Sequence, residues 1–254
     1  MTRLRIRFAK LGKIRWTSHR DTARMWERAF RRVNLPVAYS NGFSPRPRVS
    51  FGLALSTGYE SVAEYLDVEL SDSPPGCEAS RPDLDGLTAG LSAALPEGVD
   101  VLAIAASNDR SLSLQEEVTA CTWRLAVAHI QPPDPSAGAA GAAVGGRLSR
   151  LLAADSMMIT RSRKGRVATE DIRPAILAVR LLDEREGLAE LECELATQPR
   201  SLRPTELVAA LGADLEERDV RRLHQWIERD GARCEPLVAA IAATDAPHAH
   251  GRAS

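Results

Sequence analysis

Leu4-Arg5-Ile6-Arg7-Phe8-Ala9-Lys10 alternates apolar with basic residues, and by Ser18 the apolar period has lengthened from two to three or four. A period of two puts successive side chains on opposite faces of a strand, whereas a period near 3.6 gathers them along one stripe of a helix. A half-buried strand followed by an amphipathic helix commits the chain to an α+β fold with the helix laid on a sheet. Over residues 18–33, Ser18 is a suitable N-cap, with Asp21 three residues on in the manner of a capping box. Thr22, Trp26, Ala29, Phe30 and Val33 fall in one arc, and Arg20, Arg24, Arg28, Arg31 and Arg32 fall in the opposite one. Asn34-Leu35-Pro36 ends the helix, because proline has no N–H for the ladder and holds its predecessor extended.

The pattern continues with a short strand over Val37–Ser40 and a constrained loop, Ser40-Asn41-Gly42-Phe43-Ser44-Pro45-Arg46-Pro47-Arg48. Strand patterns follow at Val49–Leu55 and Ala63–Leu70, with a turn at Thr57-Gly58 between them. Leu84–Leu95 reads as a helix and Val99–Ala105 as a closing strand. This order is the split βαβ arrangement of a ferredoxin-like sandwich, and the second half repeats it loosely. There we expect a strand at Cys121–Ile130, a helix at Gly146–Ala154 and a basic hairpin at Met157–Thr169 around Lys164-Gly165. A strand pair, Ile176–Asp183 and Leu188–Ala196 around Glu186-Gly187, precedes a helix at Pro204–Leu211 and a mixed segment, Asp219–Ile227. The expectation is two tandem ferredoxin-like domains, 1–112 and 113–243. An Ala/Gly/Pro-rich insertion at 131–146 interrupts the second, and a disordered tail over 244–254 follows it.

Charge is distributed unevenly over this plan. The first fifty residues hold thirteen Lys and Arg against two acids, Asp21 and Glu27, in a chain of 254 residues with 33 bases, 34 acids and a net charge of −1. Positive potential concentrated on one element favours polyanions, because phosphates release counterions when they meet it. The preponderance of arginine is no evidence in itself: only Lys10, Lys13 and Lys164 are lysine in the whole chain. Cys77, Cys121, Cys193 and Cys234 lie far apart with no CxxC pair, so neither a zinc nor an iron–sulfur site is readable, and free thiols of a reducing cytoplasm are expected. No signal-like start and no membrane-length apolar run occurs. Walker, GxGxxG, HExxH and GxSxG motifs are absent.

The arginine stripe is the main functional signal. Solvated helix faces usually interleave signs at i,i+4, but Arg20, Arg24, Arg28 and Arg32 are spaced to repel one another, a penalty that phosphate contacts reverse. The competing reading is a face paired internally with acids from the rest of the chain. Arg5, Arg7, Lys10, Arg15 and Ser18 extend the basic surface. In the loop, Ser40 and Ser44 offer hydroxyls, Gly42 permits close approach, Phe43 offers a stacking face, and Arg46 and Arg48 can clamp phosphate. The alternative is a rigid hairpin with Phe43 tucked into the core. His19 is the one candidate for acid–base chemistry in the basic half, as a base for a metal-independent endoribonuclease, against a capping or packing role. Tyr59-Glu60-Ser61 and Glu64-Tyr65 return acids to the sheet and suit a structural role, orienting arginines.

Several of these segments occur together in one known family. Arg5-Ile6-Arg7-Phe8-Ala9-Lys10, Ser18-His19-Arg20-Asp21, the helix running to Leu35-Pro36, Ser40-Asn41-Gly42-Phe43-Ser44-Pro45-Arg46-Pro47, Gly58-Tyr59-Glu60-Ser61 and Glu64-Tyr65 resemble the uncharacterised radical-SAM-linked family. Its domain of unknown function is fused to, or encoded beside, radical S-adenosylmethionine proteins. The likeness is dense over about the first seventy residues. It implies a partnership: this chain has no cysteine triplet for a cluster, so the radical step belongs to a separate polypeptide. In element order and in its basic first helix, the first half is also similar to ferredoxin-like RNA-binding modules of CRISPR RNA-processing endonucleases, but their glycine-rich C-terminal motif is not evident. The expectation is therefore a cytoplasmic RNA-binding accessory without catalytic residues or cofactor, presenting tRNA or rRNA to a radical SAM enzyme. A protein-interaction module docking on an acidic surface is the alternative.

Overall fold

The computed structural model describes residues 2–71, 83–107, 113–130, 143–163, 166–185 and 188–237. Residues 131–142 of the expected insertion, the tail 244–254 and the turns at Lys164-Gly165 and Glu186-Gly187 lie outside the described residues. The architecture is mixed, a large sheet with few helices. Strands are β1 (Arg3–Lys10), β2 (Val49–Phe51), β3 (Glu60–Glu69), β4 (Val99–Ser107), β5 (Val118–His129), β6 (Met158–Arg163), β7 (Arg166–Asp171), β8 (Ile176–Arg185), β9 (Leu188–Ala196), β10 (Leu215–Arg229) and β11 (Ala232–Cys234). Helices are α1 (His19–Arg32), α2 (Leu84–Ala94), α3 (Leu114–Glu117), α4 (Val144–Ala153) and α5 (Pro204–Leu211).

Nine strands form one sheet in the order β4-β1-β3-β10-β5-β9-β8, with β2 on β3 and β11 on β10, while β6 and β7 make a separate ribbon. The two halves therefore share one sheet instead of each forming its own as tandem sandwiches would. The halves are joined where β3 and β10 pair in parallel, Glu60 with Arg221 and Ser61 with Arg222. Every other pairing is antiparallel.

In the first half, Leu4, Ile6 and Phe8 of β1 and Leu66 and Val68 of β3 form a core with Trp26, Ala29 and Phe30 of α1 and Leu91 of α2. Phe8 meets Trp26 edge to face at 4.9 Å. A second core joins Trp123, Leu125 and Val127 of β5 and Leu191 and Leu195 of β9 to Leu148 and Leu151 of α4 and Leu207, Val208 and Leu211 of α5. Tyr59, just before β3, belongs to that second core.

Three segments depart from expectation. Val37 and Tyr39 make only isolated bridges, to Leu70 and Pro47, since the prolines on either side deprive the ladder of donors. Beyond Phe51, the Leu53 and Ala54 carbonyls accept from Arg222 instead of a strand. The mixed segment Asp219–Ile227 is the interior of β10, the longest strand at 15 residues. Its inward positions include Arg222 and Gln225, 2% and 1% exposed, so a polar residue stands where strand alternation calls for an apolar one.

Candidate nucleic-acid interface

The basic residues of the first half divide into two groups. Those of β1 point inward. Arg5 is 2% exposed, and its guanidinium clasps Asp67 at 2.8 and 3.0 Å and reaches Glu117 at 2.9 Å. Burial opposes its charge, but the two carboxylates outweigh burial and raise its pKa. Arg7 pairs with Glu235 at 2.5 Å and lies over the Tyr65 ring. Lys10 is buried with its ammonium on the Thr17 carbonyl at 3.0 Å; burial lowers its pKa, and Glu64 offsets part of that. Arg15 contacts Glu60 at 3.3 Å. Partial burial pushes the Glu60 carboxyl up, but the Gly12 N–H, Arg221 and Arg15 together bring it below its ordinary value. The expectation that Arg5, Arg7, Lys10 and Arg15 extend an outer basic surface is corrected. Alternation in β1 is real, but its basic face is covered by α3 and the 235–237 segment, which bring Glu117, Glu235 and Leu237 onto it.

The helix arginines face solvent. Buried Thr22, Met25, Trp26, Ala29 and Phe30 anchor α1, which turns Arg20, Arg24, Arg28, Arg31 and Arg32 outward. Among the described residues the one ion pair they make is between Arg24 and Asp21 at 3.6 Å, with both side chains more than half exposed. Arg31 and Arg32 donate to carbonyls, of Glu27 at 3.3 Å and of Ala94 at 2.8 Å. Ser18 is spent on the cap: its hydroxyl accepts the Asp21 N–H at 3.2 Å and donates to the Asp21 carboxylate at 2.7 Å. It is therefore a structural residue.

In the loop, Ser40 also shapes backbone, accepting the Arg46 N–H at 3.0 Å while its own N–H donates to the Arg46 carbonyl. Gly42 sits at φ 131°, where a side chain is strained. Phe43 is fully exposed, so the tucked-in alternative is corrected. Ser44 and Arg46 are exposed, and Arg48 is held by Glu69 at 3.0 Å. His19 is exposed and makes an edge contact with Phe51 at 5.1 Å, with no hydrogen bond among the described residues. A general base needs an orienting partner, and none is seen here.

Two aromatic residues escaped the sequence reading. Trp16, 64% exposed, lies just before α1 with the Arg15 guanidinium 5.5 Å from its ring centre, and Gly58 packs so closely that a Cβ there would come within 2.8 Å of the indole. Tyr39, half exposed, lines a groove of about 240 Å³ with Glu27, Phe30, Arg31, Leu35, Pro36, Val37 and Pro47. Interleaving with Lys13 and Arg15 was the signal that marks Trp16, whereas Tyr39 has no basic neighbour in the sequence and only the fold brings Arg31 to it. The stripe thus has an exposed ring at either end, suited to stacking, with arginines between them suited to phosphates.

Among the described residues no three His, Cys, Asp or Glu side chains converge as a metal site, and no helix is long and apolar enough to cross a membrane. No curated protein matches the chain. Among solved structures, a Cbf5-Nop10-Gar1 complex is similar with TM-score 0.44 at 11% identity, over 87% of this chain and 48% of that one. An H/ACA RNP bound to a substrate RNA containing 2'-deoxyuridine matches with TM-score 0.42 at 9% identity, over 87% and 47%. An unknown protein from Galdieria sulphuraria matches with TM-score 0.22 at 12% identity, over 87% and 98%. This chain spans about half the length of the first two, and likenesses this loose carry no argument about function. A family model described as an uncharacterised protein conserved in bacteria matches residues 3–204, and the chain belongs to that family, DUF2344.

Proposed function

We propose that this protein is a cytoplasmic RNA-binding accessory whose interface is the outer face of α1 and the loop 40–48. The observation that carries the reading is the solvent-open stripe of Arg20, Arg24, Arg28 and Arg31, in which, among the described residues, only Arg24 meets an acid, exposed Asp21 at 3.6 Å, whereas largely buried acids pair the arginines of β1. A residual cationic surface of this kind has its free energy lowered by a polyphosphate. Phe43 and Arg46 continue it, so RNA with unpaired bases, in tRNA or rRNA, suits it better than a smooth duplex. Partnership with a separate radical SAM enzyme rests on the N-terminal motifs and on the lack of a cysteine triplet in this chain. With the β6–β7 ribbon and β11 set aside, each half has the strand order fourth-first-third-second, all antiparallel, which supports reading residues 1–112 and 113–243 as two ferredoxin-like units fused through β3 and β10.

The test is filter binding of tRNA and of rRNA fragments to wild type and to Arg20→Glu/Arg24→Glu. Reversal should weaken retention at least tenfold with a thermal melt unchanged within a degree or two, given about 1 kcal/mol per lost phosphate contact. Undiminished binding by the double variant removes the proposal. Capture of an acidic protein in nuclease-treated extract, with no affinity for RNA, replaces RNA by protein as the partner.

A further inference from the structure

Glu27 is the one acid on α1 beyond its first turn, it stands among five arginines, and its carboxylate makes no ion pair or hydrogen bond among the described residues. Arg31, placed four residues on for an ideal pair, instead donates to the Glu27 carbonyl at 3.3 Å. The carboxylate is left free at the groove between the second half of α1 and the 35–47 segment. Buried Phe30 and half-buried Leu35, Val37 and Pro47 give that groove apolar walls, and exposed Tyr39 and Arg31 stand at its edge. Its volume, about 240 Å³, lies below the ~300–1,000 Å³ of drug-sized pockets and suits a single flat ring system.

Resting on the RNA-binding reading, we infer that this groove is a seat for one unpaired guanine of the bound strand. An aromatic ring beside apolar walls is a stacking site for any base. What selects among bases is the acid: a carboxylate only accepts hydrogen bonds, so it wants two adjacent donors. Guanine alone presents them on its Watson–Crick edge, as the N1–H and the N2 amino group. Uracil sets two carbonyl oxygens around its single N–H and is repelled. Cytosine and adenine offer an amino group flanked by a ring acceptor, which satisfies one carboxylate oxygen and opposes the other. Arg31 and Arg28 lie on the same helix to hold the flanking phosphates, so the strand runs along α1 with its guanine turned inward. A lone acid in a basic stripe weakens binding to RNA in general and repays that by discriminating one base from the others.

The experiment is fluorescence anisotropy with single-stranded oligouridylates carrying one central guanosine or one inosine, which lacks the N2 amino group. Wild type should bind the guanosine oligomer about tenfold more tightly, the discrimination of one bidentate contact. Glu27→Gln should erase that preference while keeping inosine affinity equal to or above wild type, and Tyr39→Ala should weaken both oligomers alike. Glu27 and Tyr39 are outside the buried core, so both variants should melt as wild type does. Equal affinity of wild type for guanosine and inosine overturns the guanine seat and leaves the arginine interface standing. Binding of neither oligomer, nor of tRNA, overturns both.

Discussion

Arg5 and Arg28 carry the same side chain only 23 positions apart, and what surrounds each makes one structural and the other available. Arg5 lies in the sheet between Asp67 and Glu117, where removing one member of a hydrogen-bonded ion pair strands a buried charge. Arg5→Ala should therefore cost about 3–5 kcal/mol in urea denaturation. Arg28→Ala should stay within about 0.5 kcal/mol of wild type, since the side chain is exposed and pairs with no acid among the described residues. Comparable losses from the two substitutions would show that the division into inner and outer arginines is wrong. For Ser18 and His19 the local readings hold and the surface ones do not: Ser18 follows the capping rule and is consumed by it, and His19 packs on a ring and meets no carboxylate among the described residues.

At the scale of elements, amphipathic helices were easiest to locate because a stripe of apolar positions over ten or more residues is a redundant signal. α1, α2, α4 and α5 all begin and end within two residues of the expected places. Segments whose pairing depends on distant partners were harder. β10 hides its strand character behind Arg222 and Gln225, and α3 is a single turn closed by Ser113 and Glu116. Between elements, Arg147 of α4 grips Asp214, just before β10, at 2.5 and 2.7 Å, and His129 of β5 lies 3.2 Å from the same carboxylate. The Arg147 hydrogen bonds draw the Asp214 pKa down to about 2, with weaker opposition from burial. A carboxylate depressed in the folded state contributes stability that is fully present above its unfolded pKa, about 4, and is lost as pH falls through about 2. Asp214→Asn should accordingly melt below wild type at pH 6 and converge with it toward pH 2, as followed by circular dichroism. A constant difference between the two over that range would contradict the assignment.

For the whole molecule, the decisive contact is the junction of the two halves. Only two residue pairs join β3 to β10, yet Arg222 reaches across to Glu64 at 3.0 Å and to the Leu53 and Ala54 carbonyls at 3.1 and 3.0 Å, with its guanidinium over Trp123. Tyr59 adds a hydrogen bond to Glu217 at 2.7 Å, and Gln225 one to the Ala63 carbonyl. Arg222→Ala should cost at least about 3 kcal/mol, because the Glu64 carboxylate is left buried without its partner. It should also separate the unfolding transitions of the halves when Trp26 and Trp123 are followed in single-tryptophan variants, whereas the same probes in an otherwise wild-type background should report one shared transition. Superimposable transitions in the variant would place the coupling elsewhere. The sequence by itself determined the mixed α and β character, the four longer helices and the outward arginine stripe, because periodicity is a local property and a helix turns its polar face to water wherever it lies. Only the tertiary structure decided that the arginines of β1 face acids from α3 and the 235–237 segment, that one sheet unites both halves, and that Glu27 and Tyr39 share a groove. Those outcomes depend on which residues of different elements meet, and no local pattern records the identity of a partner that only the packing of elements supplies.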